Sequence, residues 1–82
     1  MKLNRDAKRQ VIKIIMNAVD CNEPFDVYSI MTTLVEDGEW DVRIKPKDGY
    51  MQVEKIVKDI IPIIEYKQIE TEEGFVYTPY PI

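Results

Sequence analysis

Apolar residues recur at helical spacing in two stretches near the start of the 82-residue chain. The first stretch follows Asn4, a good helix N-cap, and is predicted to end near Asp20–Asn22, ahead of a proline. The second follows Asp26, another N-cap residue, and ends at Gly38, which suits the left-handed position after a helix. Their predicted buried stripes are Ala7, Val11, Ile14, Ile15, Ala18 and Val19 in the first and Val27, Ile30, Met31, Leu34 and Val35 in the second.

The period of the pattern changes after the second helix. Apolar and charged residues alternate over Trp40–Ile44, which predicts a short half-buried strand. Lys45–Gly49 then forms a turn or the loose first turn of a third helix. Helical spacing resumes at Tyr50 and is predicted to stop at Pro62, because proline lacks the backbone N–H that a helix interior needs.

The end of the chain has the pattern of a β-hairpin. Ile63–Glu70 is rich in β-branched and aromatic residues, Thr71–Gly74 contains turn residues, and Phe75–Thr78 returns. Gly74 supplies the positive φ angle that short hairpin loops usually need. The predicted fold class is therefore α+β: three short helices with a C-terminal hairpin and a short third strand at Trp40–Ile44, in a single domain over residues 1–82.

Three helices followed by a hairpin resemble the winged helix-turn-helix superfamily, over the range Asn4 to Tyr80. The resemblance implies that the third helix, Gly49–Ile61, enters the DNA major groove and that Thr71–Gly74 is the tip of the wing. Two features depart from the family pattern. The connection Gly38–Lys47 is longer than a helix-turn-helix turn, and the strand-like Trp40–Ile44 follows the second helix whereas the family's first strand precedes it. Either the turn is elaborated or the chain has another small α+β fold.

Composition limits the chemistry available to this chain. It has no histidine and one cysteine, which excludes His-based triads, Cys–His dyads and zinc sites with ordinary ligands. We expect no enzymatic activity, no cofactor and no metal site. A lone cysteine and the expected lack of a leader or membrane-spanning segment predict a cytoplasmic protein. Frequent isoleucine, lysine and glutamate suggest an AT-rich genome, bacterial, archaeal or viral.

Charge is distributed unevenly along the sequence. The net charge of −4 argues against a chain built only to coat nucleic acid. Basic residues nevertheless concentrate in the first helix and around the start of the third, where Gln52 offers an amide to read a base edge. The predicted nucleic-acid-binding residues are Arg5, Arg9, Arg43, Lys45, Lys47, Gln52 and Lys55. Ordinary solvation of helix surfaces explains the same pattern equally well.

Two functions from different classes are consistent with the sequence. The first is a small transcription regulator of winged-helix type that binds duplex DNA through its first and third helices, as a homodimer because one unit reads few base pairs. It is favoured if the two basic segments lie on one face. The second is a protein-binding adaptor or inhibitor that presents an acidic face to a basic partner surface. The residues predicted for that face are Glu36, Asp37, Trp40, Glu72, Glu73 and Tyr80.

Overall fold

The computed structural model describes residues 1–80 and contains three α-helices and one three-stranded antiparallel sheet. In chain order the elements are α1 (Arg5–Asp20), β1 (Phe25–Asp26), α2 (Val27–Glu36), α3 (Pro46–Ile64), β2 (Tyr66–Thr71) and β3 (Gly74–Pro79). The α+β class expected from the sequence is confirmed.

Side-chain caps define where α1 and α2 begin, as the sequence predicts. The Asn4 carboxamide oxygen accepts a hydrogen bond from the Ala7 N–H at 2.8 Å. The Asp26 carboxylate accepts one from the Ser29 N–H at 2.7 Å. These bonds satisfy backbone donors that a helix leaves free in its first turn. Gly38 has a φ of +73° just beyond the end of α2, in agreement with its predicted left-handed conformation.

The segment Trp40–Ile44 is a loop, so the strand predicted there is wrong. The Asp41 carboxylate accepts a hydrogen bond from the Arg43 N–H at 2.9 Å, which closes a turn. Such side-chain-to-backbone bonds compete with strand pairing. Ile44 is buried whereas Val42 is 91% exposed. The apolar alternation therefore reflects a turn that buries one side chain and presents another to solvent.

The third strand of the sheet is β1, which lies between α1 and α2. Phe25 pairs with Tyr77 and Asp26 pairs with Val76, so β3 is the central strand in the order β1-β3-β2. Two residues are too few to show a period of two, and one of them is also the N-cap of α2. The sequence pattern therefore gave no strand signal at this position.

The predicted hairpin is formed by β2 and β3. Its ladder runs from the pair Tyr66 and Pro79 to the pair Thr71 and Gly74. Gly74 has a φ of +128°, and its carbonyl accepts a hydrogen bond from the Thr71 hydroxyl at 2.8 Å. The positive φ expected of this glycine is confirmed.

The helix α3 is longer than the sequence predicts. It continues through Pro62 to Ile64 and ends at Glu65, which has a φ of +58°. Pro62 has no backbone N–H and so removes one helical hydrogen bond. Because it lies in the last turn, only two helical residues follow it, and the helix ends there. The strand predicted to begin at Ile63 consequently begins at Tyr66.

One cluster of apolar side chains joins the three helices to the sheet. Its buried members are Leu3, Ala7, Val11, Ile15, Phe25, Val27, Ile30, Leu34, Ile44, Val53, Val57, Tyr66 and Tyr77. The prediction that Val35 is buried in the stripe of α2 is wrong, because this side chain is 60% exposed beside the end of the helix. The Tyr66 hydroxyl donates to the Glu23 carbonyl at 2.8 Å, which ties the hairpin to the segment after α1.

Candidate nucleic-acid interface

Basic residues of the amino-terminal segment and of α3 meet where the first residues and α1 pack along α3. Lys2 and Lys8 from the first segment line the same surface cavity as Lys55 of α3. The cavity has a volume of about 310 Å³. We call it the basic groove, and its polar lining consists of Lys2, Lys8, Gln52, Lys55 and Asp59. The amino-terminal segment and the middle of α3 thus supply positive charge to one surface, whereas Lys45 and Lys47 at the start of α3 do not line this groove.

The carboxamide of Gln52 ties the amino terminus to α3. Its Oε1 accepts a hydrogen bond from the Leu3 N–H at 2.7 Å, and its Nε2 donates to the Met1 carbonyl at 2.7 Å. These bonds hold Lys2 beside α3 and accompany the burial of Leu3. Each bond uses one of the two lone pairs on Oε1 or one of the two N–H groups on Nε2, and in this conformation Gln52 acts as a positioning residue for the groove.

The exposed side of α3 carries a row of lysines near its amino-terminal end. Lys45 is the N-cap of the helix and Lys47 lies in its first turn, where unpaired backbone N–H groups add partial positive charge. Met51 follows Lys47 by one turn and is 59% exposed, and Lys55 follows by another. The acid Asp48 stands beside this row. The face is therefore basic except for Asp48 and for Asp59, which follows Lys55 by one turn.

Few of the basic side chains are neutralised by a carboxylate. The ion pairs in the described part of the chain join Arg43 to Asp41 at 2.8 Å and Lys58 to Glu54 at 3.6 Å. Hydrogen bonds from Arg43 lower the pKa of Asp41 to about 2, and the same contact raises the pKa of Arg43. Arg43 therefore contributes little net charge. The predicted contact residues that make no such ion pair within residues 1–80 are Arg5, Arg9, Lys45, Lys47 and Lys55.

On α1, Lys8 lines the basic groove, whereas Arg5 and Arg9 do not. Both arginines are exposed. Lys2 and Lys8 are the groove residues that the sequence-based selection missed. A signal for Lys8 exists in its spacing, because it stands four residues before Ile12, and both side chains face α3.

Trp40, expected to be an exposed anchor for a partner, is half-buried against the core. Its indole ring lies over Gly49 of α3, and a Cβ atom at Gly49 would overlap that ring. The contact fastens the connection between α2 and α3 to the first turns of α3. Trp40 therefore supports the orientation of α3.

The predicted acidic residues lie at opposite ends of α2. Glu36 and Asp37 are at its carboxyl end, where the Asp37 carboxylate accepts a hydrogen bond from the Gln10 amide of α1 at 2.8 Å. Glu73 instead shares a cavity with Asp26 at the amino end of α2. The remaining predicted residues are exposed, on the hairpin turn and after β3 respectively: Glu72 and Tyr80. These side chains do not form one continuous acidic face.

The cavity beside the hairpin turn combines tyrosine rings with carboxylates. The rings of Tyr28 and Tyr50 lie 5.0 Å apart between centroids, and Asp26 and Glu73 contribute to the lining. The cavity has a volume of about 390 Å³. Burial, followed by the nearby charge of Glu54, raises the pKa of Tyr50 above its usual value. We call this site the tyrosine cavity, and its aromatic and acidic lining suits a cationic side chain.

Within residues 1–80, no three cysteine, aspartate or glutamate side chains come together as ligands for a metal ion. No helix in this range has the length and apolar character needed to cross a membrane. Comparisons with protein-family models, with curated proteins and with solved structures gave no match.

Proposed function

We propose that this chain is a small non-enzymatic DNA-binding regulator of winged-helix type that binds duplex DNA with α3 and the amino-terminal part of α1. The observation that supports this most strongly is the joint lining of the basic groove by Lys2, Lys8 and Lys55, because it brings basic residues from the amino-terminal segment and from α3 to one surface. The position of β1 between α1 and α2, with a hairpin after α3, is compatible with the winged-helix pattern.

In the proposed complex the amino-terminal half of α3 lies in the major groove. We expect Lys45 and Lys47, together with the free N–H groups of the first turn, to contact phosphates. We expect Lys8 to contact phosphates of the adjoining backbone. The side chains then nearest the bases are Asp48 and Met51, which suit a cytosine amino group and a thymine methyl group respectively.

The hairpin is not expected to contact the phosphate backbone. Glu72 and Glu73 form its turn, and carboxylates there repel phosphates. Arg43 is also a weak contributor, since its guanidinium already pairs with Asp41. DNA contact is therefore confined to α1 and α3, which predicts modest affinity for one protomer.

Charge reversal at two lysines of the proposed DNA-binding surface, one on α1 in the basic groove and one in the first turn of α3, tests this proposal. Lys8→Glu and Lys47→Glu are compared with Lys67→Glu, which makes the same change in net charge on β2. Binding to a mixed-sequence duplex is followed by fluorescence anisotropy at low salt. We expect Lys8→Glu and Lys47→Glu each to weaken binding by about tenfold or more. Each should also reduce the slope of log affinity against log salt by about 0.9, the value for one neutralised phosphate. Lys67→Glu is expected to change affinity by less than about threefold.

We expect all three variants to fold, because none of the three lysines is buried. Thermal unfolding followed by circular dichroism verifies this. Equal weakening by all three variants would mean that overall charge, and not the positions of Lys8 and Lys47, governs binding. No binding by the unmodified chain at low salt would overturn the DNA-binding proposal.

A protein-binding adaptor or inhibitor is the second candidate, and the tyrosine cavity is the observation that favours it. Tyr28 and Tyr50 with Asp26 and Glu73 offer both a ring face and negative charge to a lysine or arginine side chain of a partner. Calorimetric titration with an arginine-rich peptide tests it. Binding that is lost in Glu73→Lys and retained in Glu36→Lys supports this function, and binding that is equal in the two variants contradicts it.

A further inference from the structure

The surface between α1 and α3 changes character beyond the basic groove and becomes apolar. A second cavity of about 470 Å³ lies there, where the carboxyl-terminal halves of the two helices meet. We call it the apolar groove, and its apolar lining consists of Ile12, Met16, Val19, Ile60, Ile63 and Ile64.

Several side chains of the apolar groove are strongly exposed. Ile12 is 44% exposed, Met16 is 41% exposed and Ile63 is 78% exposed. Isolated exposed apolar residues are ordinary, but a contiguous apolar surface marks an interaction site. A small chain leaves a large fraction of its surface exposed to water. Covering this apolar surface therefore removes apolar area from water, which favours association.

The charges that flank the apolar groove on α1 are arranged for self-association. Arg9, Ile12, Met16 and Asp20 follow one another at helical spacing along one stripe of α1. The stripe is therefore basic at one end, apolar in the middle and acidic at the other. When two such helices pack antiparallel about a two-fold axis between Ile12 and Met16, Arg9 of each copy lies opposite Asp20 of the other.

We propose that the apolar groove is the contact surface of a symmetric homodimer, in which a second copy of this chain packs with its α1 antiparallel to the first. A two-fold axis makes each contact occur twice, so a self-complementary stripe is what such an interface requires. Burial of Ile63 against the second copy supplies the apolar centre, and the pairs of Arg9 with Asp20 fix the register.

The homodimer also has a spacing that suits duplex DNA, and this step alone rests on the proposed function. The twelve residue steps from Met51 to Ile63 span about 18 Å of helix at a rise of about 1.5 Å per residue. Two α3 helices that run away from an axis near Ile63 therefore separate their Met51 side chains by up to about 36 Å. Successive major grooves on one side of the duplex are about 34 Å apart.

Sedimentation velocity over a range of concentrations, without DNA, tests the homodimer. The unmodified chain is compared with Ile63→Lys and with Val42→Lys, a control of equal charge at a side chain that is 91% exposed beyond the other end of α3. We expect dimerisation by the unmodified chain and by Val42→Lys. Ile63→Lys is expected to raise the dissociation constant by at least about 100-fold, roughly tenfold for each of the two symmetric sites.

A charge exchange tests the antiparallel register. Arg9→Glu brings two acids together twice in each dimer and is expected to weaken dimerisation by about tenfold. Adding Asp20→Arg to Arg9→Glu reverses both partners, and we expect it to restore dimerisation to within about threefold.

Any one of three results overturns the homodimer. The first is an unmodified chain that stays monomeric up to about 0.5 mM, and the second is a dimer that Ile63→Lys leaves intact. The third is a double variant that dimerises no more strongly than Arg9→Glu. Because these measurements contain no DNA, each of these results leaves the DNA-binding proposal to its own experiment.

Discussion

Two buried tyrosines on neighbouring strands differ in what their hydroxyl groups contact. The Tyr66 hydroxyl lies 2.8 Å from the Glu23 carbonyl oxygen and 3.2 Å from that of Ala18. The Tyr77 hydroxyl is buried and has no hydrogen-bond partner among residues 1–80. Both rings pack against Phe25. The Tyr66 hydroxyl therefore stabilises the fold, whereas the Tyr77 hydroxyl has lost its hydrogen bonds to water without gaining others.

Removing each hydroxyl is expected to have opposite effects on the free energy of unfolding. Tyr66→Phe should lower it by about 1–2 kcal/mol, because the Glu23 carbonyl loses the hydroxyl donor and the Ala18 carbonyl keeps only the Glu23 N–H. Tyr77→Phe should raise it by up to about 1 kcal/mol, because an unpaired buried hydroxyl is removed. Urea denaturation measures both, and each variant is the matched control for the other. Equal destabilisation by the two substitutions would contradict this assignment.

Burial of these two tyrosines makes the stability of the fold depend on pH in the alkaline range. Burial raises the pKa of Tyr66 and of Tyr77 above the usual value of about 10. The unfolded chain then loses these protons at lower pH than the folded chain. Stability is consequently unaffected by these groups below about pH 10 and falls as the pH rises through the higher pKa values of the folded state. Melting temperatures from about pH 8 to about pH 11 measure this, and Tyr77→Phe should make the fall shallower.

At the scale of elements, the attachment of α3 depends on a glycine inside the helix. The indole of Trp40 covers Gly49 so closely that no side chain fits between them. Glycine normally weakens a helix relative to alanine by about 0.5–1 kcal/mol. Here the loss is offset by the packing of Trp40, which fastens the connection from α2 to α3.

Gly49→Ala is expected to destabilise the fold by about 1–3 kcal/mol, although alanine is the better helix former. The added methyl group overlaps the indole ring, so Trp40 must move towards solvent. Its fluorescence, the only tryptophan emission in this chain, should shift to longer wavelength. Asp48→Ala, at the exposed neighbouring position, is the control and should leave the emission unchanged. A more stable Gly49→Ala variant would contradict the packing.

Local side-chain chemistry explains which elements could be predicted from the sequence. The starts of α1 and α2 follow from the caps Asn4 and Asp26, and the hairpin turn follows from Gly74. The strand predicted at Trp40–Ile44 fails because a side-chain-to-backbone bond there closes a turn. β1 is too short to produce a periodic pattern, and it forms because the central strand β3 offers a free edge.

At the scale of the whole molecule, the packing of α1 along α3 creates a surface that is basic at one end and apolar at the other. The sequence predicts two basic segments but not their convergence, because convergence depends on how the two helices pack. Lys2 is absent from the predicted DNA-binding residues because its place in the basic groove also depends on tertiary packing. Its position depends on hydrogen bonds between Gln52 and the first residues, which are 49 or more positions away along the chain.

Gln52→Ala separates a positioning role from a base-reading role. Loss of its two hydrogen bonds should destabilise the fold by about 1–2 kcal/mol and release Lys2 from the basic groove. DNA affinity should then fall by a similar factor for every duplex sequence. Competition assays with duplexes of different base composition measure this factor. A change in the order of preference among duplexes would instead indicate that Gln52 reads bases.

The measurement that tests the central claim most directly is the salt dependence of duplex-DNA binding by the unmodified chain. If one protomer neutralises about five phosphates, the slope of log affinity against log salt should be near −4.5, and a fourfold rise in salt should weaken binding by roughly 500-fold. A slope near this value supports a basic surface built jointly by α1 and α3. A slope near zero, or no binding at low salt, contradicts it.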